Sequence, residues 1–206
     1  MKIIDISMPI HENMAVYKNI EEKKPRITFT SSLSTGGSYE SEICMSLHSG
    51  THIDMPLHMI ENGENSNKHD LSGYISECTV LDFTDLKDKI SDTHLKEKNI
   101  QTGDFILFKT KNSFTESFDF EFIYLDSAGA EYLKELKVKG VGTDALGIER
   151  AQPGHETHKI LFQNSIIIIE GLRLKSVDAG RYKMIALPLN IKNVEALPAR
   201  VILTEI

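Results

Sequence analysis

Ser165-Ile166-Ile167-Ile168-Ile169-Glu170 is a run of four isoleucines closed by a carboxylate. Consecutive β-branched residues of this length read as a buried strand. A carboxylate at the end of such a strand is costly without a partner, so Glu170 needs a metal, an arginine such as Arg173, or backbone amides. Working outward, short runs rich in Ile, Val and Phe recur at Ile3–Ile6, Ile27–Thr30, Ile43–Leu47, Thr79–Phe83, Phe105–Thr110, Val138–Val141, Lys183–Leu187 and Arg200–Thr204. Each is about strand length and is bounded by Gly, Asn, Asp or Pro. Helical spacing is clearest at Ala130, Leu133 and Leu136, behind Asp126 or Ser127 as N-cap, with shorter helices expected over Thr93–Lys98 and Glu156–Gln163. Ser31–Gly37 and Lys111–Ser117 read as loops, each a hairpin connection, with a lid or a subunit contact as the alternative. Many strands and few helices, not strictly alternating, predict an α/β or α+β chain with a mixed sheet.

The 206 residues carry 23 Lys and Arg against 30 Asp and Glu, a net charge of −7. That balance argues against a nucleic-acid surface, which needs clustered cations. No repeat or linker interrupts the chain, so one domain over residues 1–206 is expected. The opening segment meets Asp5 before any apolar signal region develops, and no apolar run approaches the ~20 residues of a membrane span. Cys44 and Cys78 form no pair motif and read as buried free thiols. A soluble protein of the reducing cytoplasm is the expectation.

The chemistry concentrates in Leu47-His48-Ser49-Gly50-Thr51-His52-Ile53-Asp54-Met55-Pro56-Leu57-His58, which holds three of the eight histidines. His52 and Asp54, two apart, point the same way on an extended segment. Gly50 permits a turn that returns His48 beside them, and Pro56 stiffens the approach to His58. Two imidazoles and a carboxylate suit Zn²⁺, Mn²⁺ or Fe²⁺ with positions open for water. Downstream, His155 or His158 with Glu170 would complete a second metal position, the alternative being a surface histidine and an Arg173–Glu170 ion pair. His11, His69 and His94 read as solvent-facing or loop residues. Asp144 reads as a turn cap or a partner behind the metal ligands.

The segment His48-Ser-Gly-Thr-His52-Ile-Asp54-Met-Pro-Leu-His58 resembles the HxGTHxDxPxH signature of the cyclase-like metal-dependent hydrolases, which include bacterial kynurenine formamidase and isatin hydrolase. Ile4–Ile10, Gly103–Thr110, Val141–Gly147, Ala186–Leu189 and Leu197–Arg200 resemble further family segments. The resemblance implies a swivelling β/β/α domain with a mixed β-sheet core and few helices, assembled as homodimers or homotetramers. It implies one or two divalent ions per subunit, Zn²⁺ first and Mn²⁺ second, held by His48, His52, Asp54, His158 and Glu170, with Asp54 and Glu170 shared between ions. His58 matches the family's proton donor and acceptor. Two positions depart from the pattern: Tyr17 stands near the usual substrate-lining Trp, without the Pro-Gly-Asp turn, and Gly147 replaces the last serine of Gly-x-Asp-x-x-Ser.

The expected activity is hydrolysis of a small amide or formamide by hydroxide generated on the metal, with N-formylkynurenine as the best single substrate and His58 passing a proton to the leaving nitrogen. A cyclic amide of the isatin type is the nearest alternative. A noncatalytic metal-bound binding module is the alternative of another class. No nucleic acid or membrane is expected as a partner, and the Phe114/Phe118 loop is a candidate subunit contact.

Overall fold

The computed structural model describes residues 2–68 and 70–206. Among these, the strands in chain order are β1 (Ile3–Asp5), β2 (Arg26–Ser31), β3 (Glu40–Cys44), β4 (His52–Asp54), β5 (Ile75–Asp82), β6 (Lys89–Ile90), β7 (Phe105–Lys109), β8 (Tyr124–Leu125), β9 (Gly140–Thr143), β10 (Ile167–Glu170), β11 (Gly180–Pro188) and β12 (Ala196–Thr204). The helices are α1 (Leu33–Gly36), α2 (Asp92–Lys96), α3 (Ser127–Glu135) and α4 (Glu156–Gln163).

The main sheet runs β1-β12-β11-β5-β7-β9-β10-β4, and β4 also pairs with β12. Seven strands therefore close on themselves, which removes most of the exposed edge that an open sheet would carry. β5, β7, β9 and β10 are mutually parallel, whereas β4, β11 and β12 join antiparallel, so the sheet is mixed as expected. Alternate residues of one strand feed two cores. Phe105 and Leu107 of β7 pack inside the closure with Val80, Ile169 and Leu203. Ile106 and Phe108 pack outward with Leu95, Leu133 and Leu161 of α2, α3 and α4. Burial on both faces explains why these strands read as continuous apolar runs rather than alternating ones.

Asp126 caps α3 by accepting from Gly129 N at 2.8 Å, and α4 spans the expected residues. Several expectations need correction. The third apolar run pairs earlier than expected, because β3 ends at Cys44. Cys44 is exposed on the separate β2–β3 hairpin, and only Cys78 is buried. Ser31–Gly37 does form the hairpin connection from β2 to β3, but it holds the short helix α1, with a Ser32–Thr35 capping box at its start. Lys111–Ser117 leaves the main sheet in a short 3-10 turn and leads toward β8 in another sheet, so it is not a hairpin connection. His94 caps α2, its Nδ1 accepting from Ser91 N at 3.1 Å, while His11 is exposed and His69 lies outside the described residues. No helix among the described residues is long and apolar enough to cross a membrane.

Candidate metal centre

β4 and β10 are neighbours in the sheet, with Glu170 in register opposite His52 and Ile168 opposite Asp54. This antiparallel pairing brings residues more than a hundred positions apart to one point. The two loops behind it cross at Gly50 and Gly171, both with positive φ (75° and 71°). A Cβ on Gly171 would stand 2.5 Å from the carbonyl oxygen of Gly50, so a side chain there would prise the loops apart. Thr51 Oγ1 pins the crossing by donating to the Gly171 carbonyl at 2.6 Å. His158 enters from the first turn of α4.

The inner atoms converge. His48 Nδ1 and His52 Nε2 lie 3.1 and 3.3 Å from Asp54 Oδ1, and 3.3 Å from each other. His52 Nε2 is 3.5 Å from Glu170 Oε2. His158 Nε2 lies 3.7 Å from Asp54 Oδ2 and 3.5 Å from Glu170 Oε1. All five residues named for metal binding are therefore brought together.

The outer nitrogens face fixed acceptors. His52 Nδ1 donates to the Gly50 carbonyl at 2.9 Å, and His158 Nδ1 donates to Glu149 Oε1 at 2.6 Å. His48 Nε2 faces Glu195 Oε1 at 3.4 Å. An acceptor on one ring nitrogen leaves the other free to ligate, and this is how metal-binding imidazoles are oriented. Glu149 and Glu195 were not singled out in the sequence. Neither sits in a motif, and only the closing of the sheet and the turn before α4 deliver them.

Both oxygens of Asp54 and Nε2 of His158 are buried without a hydrogen-bond partner. Orphaned acceptors at one buried point are expensive, and a cation there satisfies them together. Without an ion, the charges of the cluster lean on one another. Burial alone would lower the His52 imidazole, but Asp54 and Glu170 outweigh it and raise it to about 10. His158 is likewise raised, against burial, by Asp54, Glu149 and Glu170. Burial and the neighbouring Asp54 charge oppose ionisation of Glu170, yet His158 and His52 hold its carboxyl down at about 2.

His58 follows in a 3-10 turn, its ring 4.1 Å from that of His48 and 5.6 Å from that of His158. Burial, its largest influence, and the adjacent imidazoles outweigh Asp54 and Glu170 and lower it to about 4, so the ring is neutral near pH 7. One nitrogen of His58 also lies within 4.8 Å of ligand-type atoms of His48 and Asp54. A cavity of about 220 Å³ opens above these rings, walled by Tyr17, Met59, Leu146 and Gly147. The two departures from the family pattern meet here, since a Cβ on Gly147 would stand 3.2 Å from Cε2 of Tyr17.

Other expectations resolve by position. Arg173 does not pair with Glu170; its guanidinium contacts the Leu172 carbonyl and Met8 Sδ. Glu170 instead takes a backbone hydrogen bond from Ile148 N at 2.6 Å. Asp144 is a buried turn cap, accepting from Thr110 N, Thr110 Oγ1, Asn112 Nδ2, Ser113 N and Ser113 Oγ. His155 is the N-cap residue of α4 and shares Glu149 Oε1 with His158. Phe118 packs edge-on against Tyr17 at 5.2 Å and backs the cavity wall, leaving Phe114 exposed.

The sequence model of the cyclase family, described as "Putative cyclase", matches residues 4–150. A kynurenine formamidase of Erythrobacter litoralis is 35% identical over 164 residues, covering 79% of this chain and 75% of that protein. The solved structure of a predicted metal-dependent hydrolase from Bacillus stearothermophilus superposes with a TM-score of 0.90 at 50% identity, over 98% of this chain and 97% of that one. Isatin hydrolase A of Labrenzia aggregata superposes with a TM-score of 0.87 over 99% of this chain and 93% of that one; at 21% identity the likeness is one of fold. With the family match spanning most of the chain, including the segment from His48 to His58, this protein belongs to the cyclase family of metal-dependent hydrolases.

Proposed function

We propose that this enzyme hydrolyses a small formamide or amide, with N-formylkynurenine as its substrate, and that His48, His52, Asp54, His158 and Glu170 hold one or two divalent ions. The observation that carries the reading is the set of unpartnered Asp54 oxygens and His158 Nε2, beside a cavity that His48, His158 and Glu170 line together with His58 and Tyr17. Three nitrogens and two carboxylates suit Zn²⁺ first and Mn²⁺ second. A bound divalent ion supplies a Lewis acid and brings the ionisation of water near neutrality.

The chain supplies the rest. His58, as neutral imidazole, takes a proton from the attacking water and returns it to the leaving nitrogen, a role worth roughly 10²- to 10⁴-fold. Tyr17 offers its ring as a stacking wall in place of an indole. Glu149, Glu195 and the Gly50 carbonyl hold the three ligand imidazoles in their orientations. The free thiols of Cys44 and Cys78 support work in a reducing cytoplasm, and the family resemblance supports a dimer or tetramer.

The test is a substrate panel on protein purified without a metal-affinity tag and loaded with Zn²⁺ or Mn²⁺. Formate released from N-formylkynurenine supports the proposal. Ring opening of isatin without formamidase turnover transfers the site to the cyclic-amide alternative. Silence across amides and lactones would leave only a metal-binding module.

A further inference from the structure

Resting on the amide-hydrolase reading, we infer that the substrate carries a negatively charged group on the side away from its scissile C–N bond, held by Lys18 and Lys23 at the mouth of the cavity. The enzyme is thereby selective for amides that bear such a group over those that lack one.

The cavity floor is acidic, but each carboxylate there is already matched. Glu170 faces the imidazoles of His52 and His158 and accepts from Ile148 N. Glu149 accepts from His155, His158 and the backbone of Thr157. Lys18 and Lys23 also line the cavity, and their ammonium groups stand over the Tyr17 ring, 5.4 and 5.5 Å from its centroid. Among the described residues neither has an ion pair or a side-chain hydrogen bond, although Lys24 next door pairs with Glu21 at 2.6 Å. In a chain of net charge −7, two unmatched ammoniums on one ring at one cavity mouth are not a general property of the surface.

Both lysines are also held in place. Lys18 and Asn19 occupy the left-handed region in succession (φ 58° and 53°), a conformation that non-glycine residues adopt at a cost. Lys23 is tied to the metal loop, because its carbonyl accepts from Ser49 Oγ at 2.7 Å, and Ser49 lies between His48 and Gly50. A planar substrate lying on Tyr17 with its amide toward His58 would place a substituent at the rim, beside two cations. An anion there gains charge-assisted contacts that a neutral substituent cannot make.

The test compares metal-loaded wild type with Lys18→Gln, Lys23→Gln and the double variant. Substrates are the ortho, meta and para formamidobenzoates and uncharged formanilide. Wild type is expected to favour at least one benzoate over formanilide by tenfold or more in kcat/KM. In the double variant that preference should fall at least tenfold, through KM, and the Lys18→Arg/Lys23→Arg pair should restore it. A double variant with the wild-type preference, or a wild type with none, overturns the inference.

Binding gives a second readout independent of turnover. The aminobenzoates and aniline can be titrated by calorimetry against loaded and chelated protein. Carboxylate-dependent binding that disappears in the double variant supports the lysine subsite even if no amide is hydrolysed, in which case only the hydrolase reading fails. Binding that is equal with and without the carboxylate, or unaltered in the double variant, removes the subsite whatever the activity.

Discussion

Glu149 is the residue through which the metal reading can be tested most sharply without touching a proposed ligand. Its Oε1 accepts from His158 Nδ1 at 2.6 Å and from His155 Nδ1 at 3.0 Å, while Oε2 accepts from Thr157 N at 3.1 Å. The residue is 3% exposed, so these contacts are shielded from water. They hold a proton on Nδ1 of His158 and leave Nε2 pointing at Asp54 and Glu170. Glu149→Gln keeps the shape but removes the charge, and its amide cannot accept on both sides. The ring of His158 then loses both its fixed tautomer and the carboxylate that raises its basicity.

Losing such a partner behind a ligand costs roughly 10- to 100-fold in metal affinity, or about 1.4–2.7 kcal/mol. Competition with a chromophoric chelator at fixed pH measures this directly. At saturating metal the stoichiometry should match wild type, because no ligand has been removed. Glu149, His155 and His158 also lie close enough to hold an ion by themselves. If Glu149 is a ligand in that group, Glu149→Gln and His155→Ala would both lower the number of ions per chain. Unchanged affinity in Glu149→Gln would refute the orientation argument altogether.

His58→Asn should retain metal and lose kcat by roughly 10²-fold or more with little change in KM, whereas His52→Ala should lose metal and activity together; metal loss in both would make His58 a ligand. Glu170→Ala should lower metal per chain while Arg173→Ala leaves it unchanged, because the guanidinium contacts Met8 and the Leu172 carbonyl instead; equal stoichiometries by elemental analysis would contradict the site. Asp144→Ala strands five donors, two of them backbone amides, in a buried turn, so denaturant unfolding should show a loss of about 3–5 kcal/mol, and less than 1 kcal/mol would refute the account. In chelated protein the stabilisation from His52 is whole below about 6.5 and lost as pH rises through about 10, while that from Glu170 is whole above about 4.5 and lost as pH falls toward 2. Thermal scans should therefore show an alkaline fall in Tm for chelated protein that loading with metal suppresses, since ligation keeps these imidazoles neutral from neutral pH upward; equal falls would refute it.

Local chemistry was legible along the chain because it is written in neighbouring residues. The isoleucine run before Glu170, the caps of α3 and the span of α4 follow from burial and capping patterns that need no tertiary information. The cluster from His48 to His58 was legible for the same reason, with Gly50 and Pro56 marking its turns. The joining of β4 to both β10 and β12 was not legible, because a three-residue strand carries too short a pattern to announce its partners. That pairing sets Glu170 opposite His52 and brings Glu195 beside His48. Cys44 shows the converse limit: an apolar neighbourhood in sequence does not bury a residue on a hairpin that leaves the main sheet. Glu149 was invisible as an isolated acid in a turn, and becomes the support of His158 only because α4 folds back over it. Residue types and spacings determined which atoms are able to bind a metal. Sheet closure decided which of them meet, since pairing between distant strands is set by the packing of two cores that no local window contains.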